Sequence, residues 1–156
     1  MDVSERSERT PGPAGRSDAA DRFGADGSAG AEAVRVVVVD DQAPFRAAAR
    51  AVLARTPGFV LVGEASDGAE ALALVDEARP QLVLMDIMMP VLDGLAATAR
   101  LRGTHPGVVV VLVSTYEQGS LPEGVAAAGA AAYLHKEELS PRVLADLWKA
   151  HAPRPT

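Results

Sequence analysis

From residue 34 onward, unbroken apolar runs alternate with segments whose apolar positions recur at helical spacing, and the alternation repeats five times. VRVVVV (34–39) is rich in β-branched residues and, apart from Arg35, continuously apolar, which suits a central strand covered on both faces. Pro44 pre-sets a helical turn, and Phe45, Ala48, Ala49, Val52 and Leu53 then share one side of a helix that Thr56-Pro57-Gly58 ends. FVLVGEA (59–65) reads as a second strand. Glu70, three residues after Asp67, is a capping pattern that opens a helix running through Ala78, with Arg79-Pro80 closing it.

The third strand lies in QLVLMDIMMPVLDG (81–94), where an apolar run meets Asp86 and pairing must stop because Pro90 has no N–H to donate. A helix follows from about Asp93 to Arg102, then a loop over 103–107. VVVVLVS (108–114) is the fourth strand and ends in the hydroxyl of Ser114. A poorly patterned, alanine-rich helix is expected over Leu121–Ala128, with Gly129 as its C-cap. AAYLHK (131–136) is the fifth strand, and Ser140-Pro141 caps a last helix on which Val143, Leu144, Leu147, Trp148 and His151 share a face. Trp148 is expected to pack against the sheet.

Five β–α repeats with apolar strands predict a parallel sheet with helices on both faces. The leading topology is a flavodoxin-like (βα)5 doubly wound sheet of order 2-1-3-4-5. In such a sheet ligands bind outside the carboxyl ends of the strands, at the switch point between strands 1 and 3.

Composition sets limits around this core. With 156 residues the chain has room for one domain and a tail. Residues 1–33 are mostly Pro, Gly, Ser, Ala and charges, with Val3 and Phe23 as the only large apolar residues after Met1, so they are expected to be a disordered N-terminal tail. The folded domain is expected over 34–151, and 152–156 form a C-terminal tail. The absence of cysteine excludes disulfides, thiolate metal sites and a Cys nucleophile. There is no secretory pattern, and the longest aliphatic run, Val108–Val113, falls far short of the ~20 residues a spanning helix needs. A soluble, cytoplasmic protein that does not engage a membrane is expected. The net charge of −6 and the scattered arginines offer no basic patch, so no direct nucleic-acid binding is expected.

Candidate chemistry gathers at the strand ends. Strand 1 ends at Asp40 and Asp41, and strand 3 ends at Asp86. A buried carboxylate is costly unless it is paired, ligates a metal or has a chemical task. Three of them together favour a hard cation, Mg2+ or Mn2+, and such a cation commonly bridges to phosphate oxygens. Ser114 can bond a phosphate oxygen, and Lys136 can neutralise one. Each residue alone has a plainer reading, as a strand-end turn, a loop cap, a strand terminus or a solvated lysine. Their shared position at the carboxyl edge of the sheet carries the argument.

These residues, with DIMMPVLDG (86–94), GAAAYLHK (129–136) and the spacing between them, resemble a response-regulator receiver domain of two-component signalling. The resemblance covers residues 34–151. It implies that Asp86 is the phosphoacceptor for a sensor histidine kinase or phosphotransfer protein. It also implies Mg2+ held by Asp40, Asp41, Asp86 and the backbone carbonyl of Met88. Ser114 would be the switch hydroxyl, Lys136 the phosphate counter-ion and Tyr133 an aromatic switch, although a half-buried strand aromatic would read the same way. The signal would leave through the fourth helix, fifth strand and fifth helix to a protein partner, with homodimerisation on phosphorylation left open. Such a protein is a phosphoacceptor with at most slow self-catalysed turnover, not an enzyme.

Two positions depart from the usual pattern. Thr115 stands where many relatives have alanine, and its bulk is expected to restrict the site. Glu137 follows Lys136 where proline is common, as in receivers that precede helix-turn-helix output domains. The chain ends shortly after the last helix, so a stand-alone receiver or a truncated regulator is expected. The alternatives from other classes are a phosphorylation-independent adaptor and an Asp-nucleophile phosphatase. Against the second, Asp40 and Asp41 are adjacent, with no acid at position 43.

Overall fold

The structure, a computed structural model, describes residues 33–153. The expected N-terminal tail lies outside the described residues, except for Ala33, as do residues 154–156 of the expected C-terminal tail. In chain order the elements are β1 (Val34–Val39), α1 (Ala43–Ala54), β2 (Phe59–Ala65), α2 (Gly68–Ala78), β3 (Leu82–Asp86) and α3 (Gly94–Thr104). They continue with β4 (Val109–Ser114), α4 (Val125–Ala128), β5 (Ala132–His135) and α5 (Pro141–His151). The strands form one sheet of order β2-β1-β3-β4-β5, and every pairing is parallel.

Strand alternation divides the core in two. Val36, Val38, Leu82, Leu84, Val111 and Val113 face one side, where Ala49 and Leu53 of α1 and Leu144 of α5 close over them. Val37, Val39, Val83, Met85, Val110 and Leu112 face the other, under Ala71 and Val75 of α2 and Ala97 and Leu101 of α3. Covering on both faces explains why β1, β3 and β4 read as continuous apolar runs. Trp148 is half-buried against the α1–α5 side, as expected.

Caps set the helix starts. Asp67 accepts from the Glu70 N–H and Ser140 from the Val143 N–H, while Glu70 reaches back to the N–H of Ser66. Asp93 likewise caps α3 by accepting from Ala96 N–H at 2.8 Å. Arg79 ends α2 in a left-handed conformation (φ 52°), and the Arg35 guanidinium donates to the carbonyls of Ala78 and Arg79 there.

β4 starts one residue later than the sequence expectation of 108–114, β5 covers Ala132–His135 rather than 131–136 because Lys136 enters a 3-10 turn, and two helix boundaries also differ. α3 continues through Gly103 and Thr104, whose hydroxyl donates to the Arg100 carbonyl, so the loop begins only at His105. The fourth helix is a single turn, Val125–Ala128, rather than Leu121–Ala128. Gly124 takes a left-handed conformation (φ 91°), which no residue inside a right-handed helix adopts, so the helix starts only after it. A 3-10 turn at Gln118–Ser120 occupies part of the remaining connection.

Candidate functional site

The parallel sheet brings the carboxyl ends of β1 and β3 side by side, with Val39 paired to Met85, so the residues that follow meet at one edge. Asp40 is fully buried and Asp86 is 5% exposed, while Asp41 faces solvent. One carboxylate oxygen from each lies within 4.8 Å of the others. At an effective dielectric of ~20, each such pair repels by about 3 kcal/mol when both are ionised. Burial, reinforced by Asp40, raises the Asp86 carboxyl to about 6; Lys136 and a backbone hydrogen bond from Met88 act in the opposite direction.

Lys136, just past β5, provides the opposing charge. Its Nζ lies 2.6 Å from Asp40 Oδ2 and 3.6 Å from Asp86 Oδ1. The same ammonium donates to Gln42 Oε1 at 3.4 Å and sits 4.8 Å from the centre of the Phe45 ring. Asp40 Oδ1 accepts from the Gln42 N–H at 2.8 Å. Asp40 Oδ2, by contrast, is buried and has no aligned hydrogen bond among the described residues. Its close neighbour of opposite charge is the Lys136 ammonium, an ion contact at 2.6 Å. A buried carboxylate oxygen without a directed donor, beside two more hard oxygens, fits a small divalent cation.

The Asp40 backbone is anchored as well. Arg46 Nη1 donates to the Asp40 carbonyl at 2.7 Å, and its Nε lies 3.4 Å from Glu64 on β2. Arg50 binds Glu64 with two hydrogen bonds, at 2.9 and 3.0 Å, and its guanidinium holds the Glu64 carboxyl below its ordinary range.

The loop from β3 to α3 is folded tightly under Asp86. Gly94 N–H donates to the Ile87 carbonyl at 2.8 Å, and a Cβ at Gly94 would stand 1.9 Å from the Asp86 carbonyl oxygen. Gly68 N–H donates to the Leu92 carbonyl, tying the loop to the start of α2. Leu92 N–H donates to the Pro90 carbonyl across Val91, which is held at φ 71° although β-branched and 81% exposed. That conformation is strained for valine.

Ser114, buried at the end of β4, accepts from the Tyr116 N–H at 2.8 Å through its hydroxyl oxygen. Tyr133 is half-buried on β5, and its hydroxyl donates to the Tyr116 carbonyl and lies 3.5 Å from that of Ser114. Asp41, Asp86, Met88, Ser114, Thr115 and Lys136 line one cleft of about 230 Å³, with Gln42 and Tyr116 completing it. Thr115 is exposed at its mouth, and the Met88 side chain is 57% exposed. A larger cleft, of about 410 Å³, lies at the opposite ends of β4 and β5 between Arg102, Gly129 and His151, and among the described residues no side-chain carboxylate or hydroxyl lines it. The acids, the Ser114 hydroxyl and Lys136 all border the smaller cleft.

Asp40, Asp41, Asp86, Ser114 and Lys136 thus converge, with Tyr133 behind the loop that follows Ser114. Sequence reasoning missed Gln42, Phe45, Arg46 and His135. Phe45 read only as part of an apolar helix face, and nothing in the spacing signalled that Lys136 would rest over its ring. His135, beside Lys136, was absorbed into the fifth strand.

A doubly wound α/β domain with an acidic cation pocket at its switch point and a lysine facing it is a signalling receiver in class. The chain belongs to the response regulator receiver domain family, whose pattern it matches over residues 36–147. It is similar to the response regulator GacA of Pseudomonas protegens, with 42% identity over 103 residues, covering 66% of this chain and 48% of that protein. The chain therefore spans about half the length of the curated relatives it matches. The receiver domain of the putative response regulator NarL from Mycobacterium tuberculosis superposes with a TM-score of 0.69 at 32% identity, covering 77% of this chain and 99% of that one. The response regulator domain of Thermotoga maritima CheB gives a TM-score of 0.70 at 28% identity, covering 80% and 100%. Receiver domains of this family bind Mg2+ at an acidic pocket, interact with histidine kinases and output partners, and are generally not enzymes themselves. Among the described residues, no helix is long and apolar enough to cross a membrane.

Proposed function

We propose that Asp86 accepts a phosphoryl group from the phosphohistidine of a sensor histidine kinase or phosphotransfer protein, within a receiver unit spanning residues 34–151. The observation that supports this most strongly is the placing of Asp86, the Asp40–Asp41 pair, Ser114 and Lys136 about one small cleft. In the transfer, an ionised Asp86 oxygen bonds to phosphorus as the P–N bond breaks. The electron pair of that bond leaves with the imidazole, which takes up a proton. Asp40, Asp41, Asp86 and the Met88 carbonyl would hold Mg2+, or Mn2+ in its place. When bound, the metal neutralises charge on the transferring oxygens.

Lys136 then pairs with a phosphoryl oxygen in addition to Asp40, and Ser114 turns its hydroxyl from the Tyr116 N–H toward the phosphoryl group. Tyr133 responds at Tyr116, whose N–H is freed when Ser114 turns, through its bond to the Tyr116 carbonyl. The altered surface of α4, β5 and α5 is read by a downstream protein partner or by a second copy of the chain. Thr115 at the cleft mouth slows access. Incubation with acetyl phosphate and Mg2+ tests the reading by intact-mass measurement: the chain gains one phosphoryl group, and Asp86→Asn does not. Undiminished uptake by Asp86→Asn would sink the assignment.

A further inference from the structure

Two side chains of β5 reach the loop that follows Ser114, and only Tyr133 has a part in the reading above. Alternation along the strand puts Tyr133 and His135 on one face, and the register sets His135 beside Ser114. Tyr133 donates to the Tyr116 carbonyl, and His135 meets the carbonyl just before it, with Nε2 3.1 Å from the oxygen of Thr115. The other ring nitrogen faces a donor, because the Glu137 N–H points at Nδ1 from 3.1 Å. An arriving N–H requires a free lone pair at Nδ1, so the ring proton sits on Nε2 and is donated to Thr115. Glu117 Oε2 lies 3.6 Å from the same Nε2, but its side chain is 85% exposed and adds little. His135 is thus tied at both ends, to the 3-10 turn Lys136–Glu138 on one side and to the residue after Ser114 on the other.

We propose that His135 is a positioning residue for phosphoryl transfer to Asp86, bracing the Ser114–Thr115 backbone against the turn that carries Lys136. The inference rests on the reading of Asp86 as phosphoacceptor. Ser114 and Lys136 approach the cleft from different strands, and no direct bond joins them. With the Thr115 carbonyl held, the Ser114 hydroxyl can be redirected by rotation about its own χ1. Without the brace, backbone and hydroxyl shift together, and the distance across the cleft is no longer fixed.

Two variants of the full chain separate this role from general packing. His135→Gln carries its amide nitrogen about as far out as Nε2 and can still donate to Thr115. His135→Asn ends near the position of Nδ1 and cannot. The loss of one ordinary hydrogen bond corresponds to about a fivefold change in a local equilibrium. Amide exchange at Tyr116 is therefore expected to be about fivefold faster in His135→Asn and near wild type in His135→Gln. Phosphoryl uptake from acetyl phosphate with Mg2+ should slow by a similar factor in the Asn variant only. Mg2+ affinity should be unchanged in both, because the acids lie beyond β1 and β3. In the wild type, 15N-histidine spectra should show protonated Nε2 and bare Nδ1. Equal exchange in the two variants, or a proton on Nδ1, overturns the proposal. Failure of the phosphoacceptor reading shows separately, as a wild type that takes up no phosphoryl group while the exchange contrast persists. The brace is then purely structural, and the proposal falls with that reading.

Discussion

Asp86→Asn is expected to stabilise the metal-free protein, although it removes the reactive group. Asp86 is 5% exposed yet lines an open cleft, and its carboxyl is raised from 3.8 to about 6 by burial and by Asp40. A raised carboxyl binds a proton in the native state at pH values where the unfolded chain has already lost it. Stability from this group is therefore present at low pH and falls as pH rises between about 4 and 6. A shift of that size corresponds to about 3 kcal/mol against the fold at pH 8. Water at the open cleft screens part of it, leaving about 1–2 kcal/mol. Replacing the carboxylate with a neutral amide of the same shape removes that cost. Urea unfolding in EDTA should thus give a variant more stable than wild type by about 1–2 kcal/mol at pH 8, with the gap closing near pH 4. Adding Mg2+ should reverse the order, because the wild type gains stability by mass action and the variant loses a ligand. An Asp86→Asn protein no more stable than wild type at pH 8 in EDTA would refute the electrostatic account.

Other positions offer independent checks. Val91→Gly should raise stability by about 1 kcal/mol in thermal unfolding, because glycine tolerates the φ of 71° that strains valine. Gly94→Ala puts a methyl 1.9 Å from the Asp86 carbonyl and should cost more than ~2 kcal/mol, and it should weaken Mg2+ binding in calorimetric titration by displacing Asp86. Thr98 is fully buried, and among the described residues its hydroxyl has no partner, so Thr98→Val should stabilise by about 1 kcal/mol in urea unfolding; a loss would show that the hydroxyl is satisfied.

The sheet was legible because both its faces are covered, so that each central strand appears as an apolar run and each helix as a periodic one. Asp40, Asp41, Asp86, Ser114 and Lys136 were legible because they sit where those runs end. The single-turn α4 was not, since alanines give no periodic signal and the break rests on the backbone conformation of Gly124. The supports of the site were also hidden. Phe45 under Lys136, Arg46 on the Asp40 carbonyl and His135 on the Thr115 carbonyl each join residues distant in sequence or act through backbone atoms, and side-chain patterns do not encode backbone acceptors.

β2 sits at the rim of the sheet and contributes no group to the cleft, yet Glu64 on it reaches the Asp40 carbonyl through Arg46. Linkage makes such a connection reciprocal: whatever steadies the acid pair also steadies the outermost strand, and by the same free energy. Sheets ordinarily fray from their rims inward. In this protein a cation taken up at the centre would also protect the margin, so that occupancy of the pocket could be read remotely, as slower amide exchange along a strand that never touches the ion.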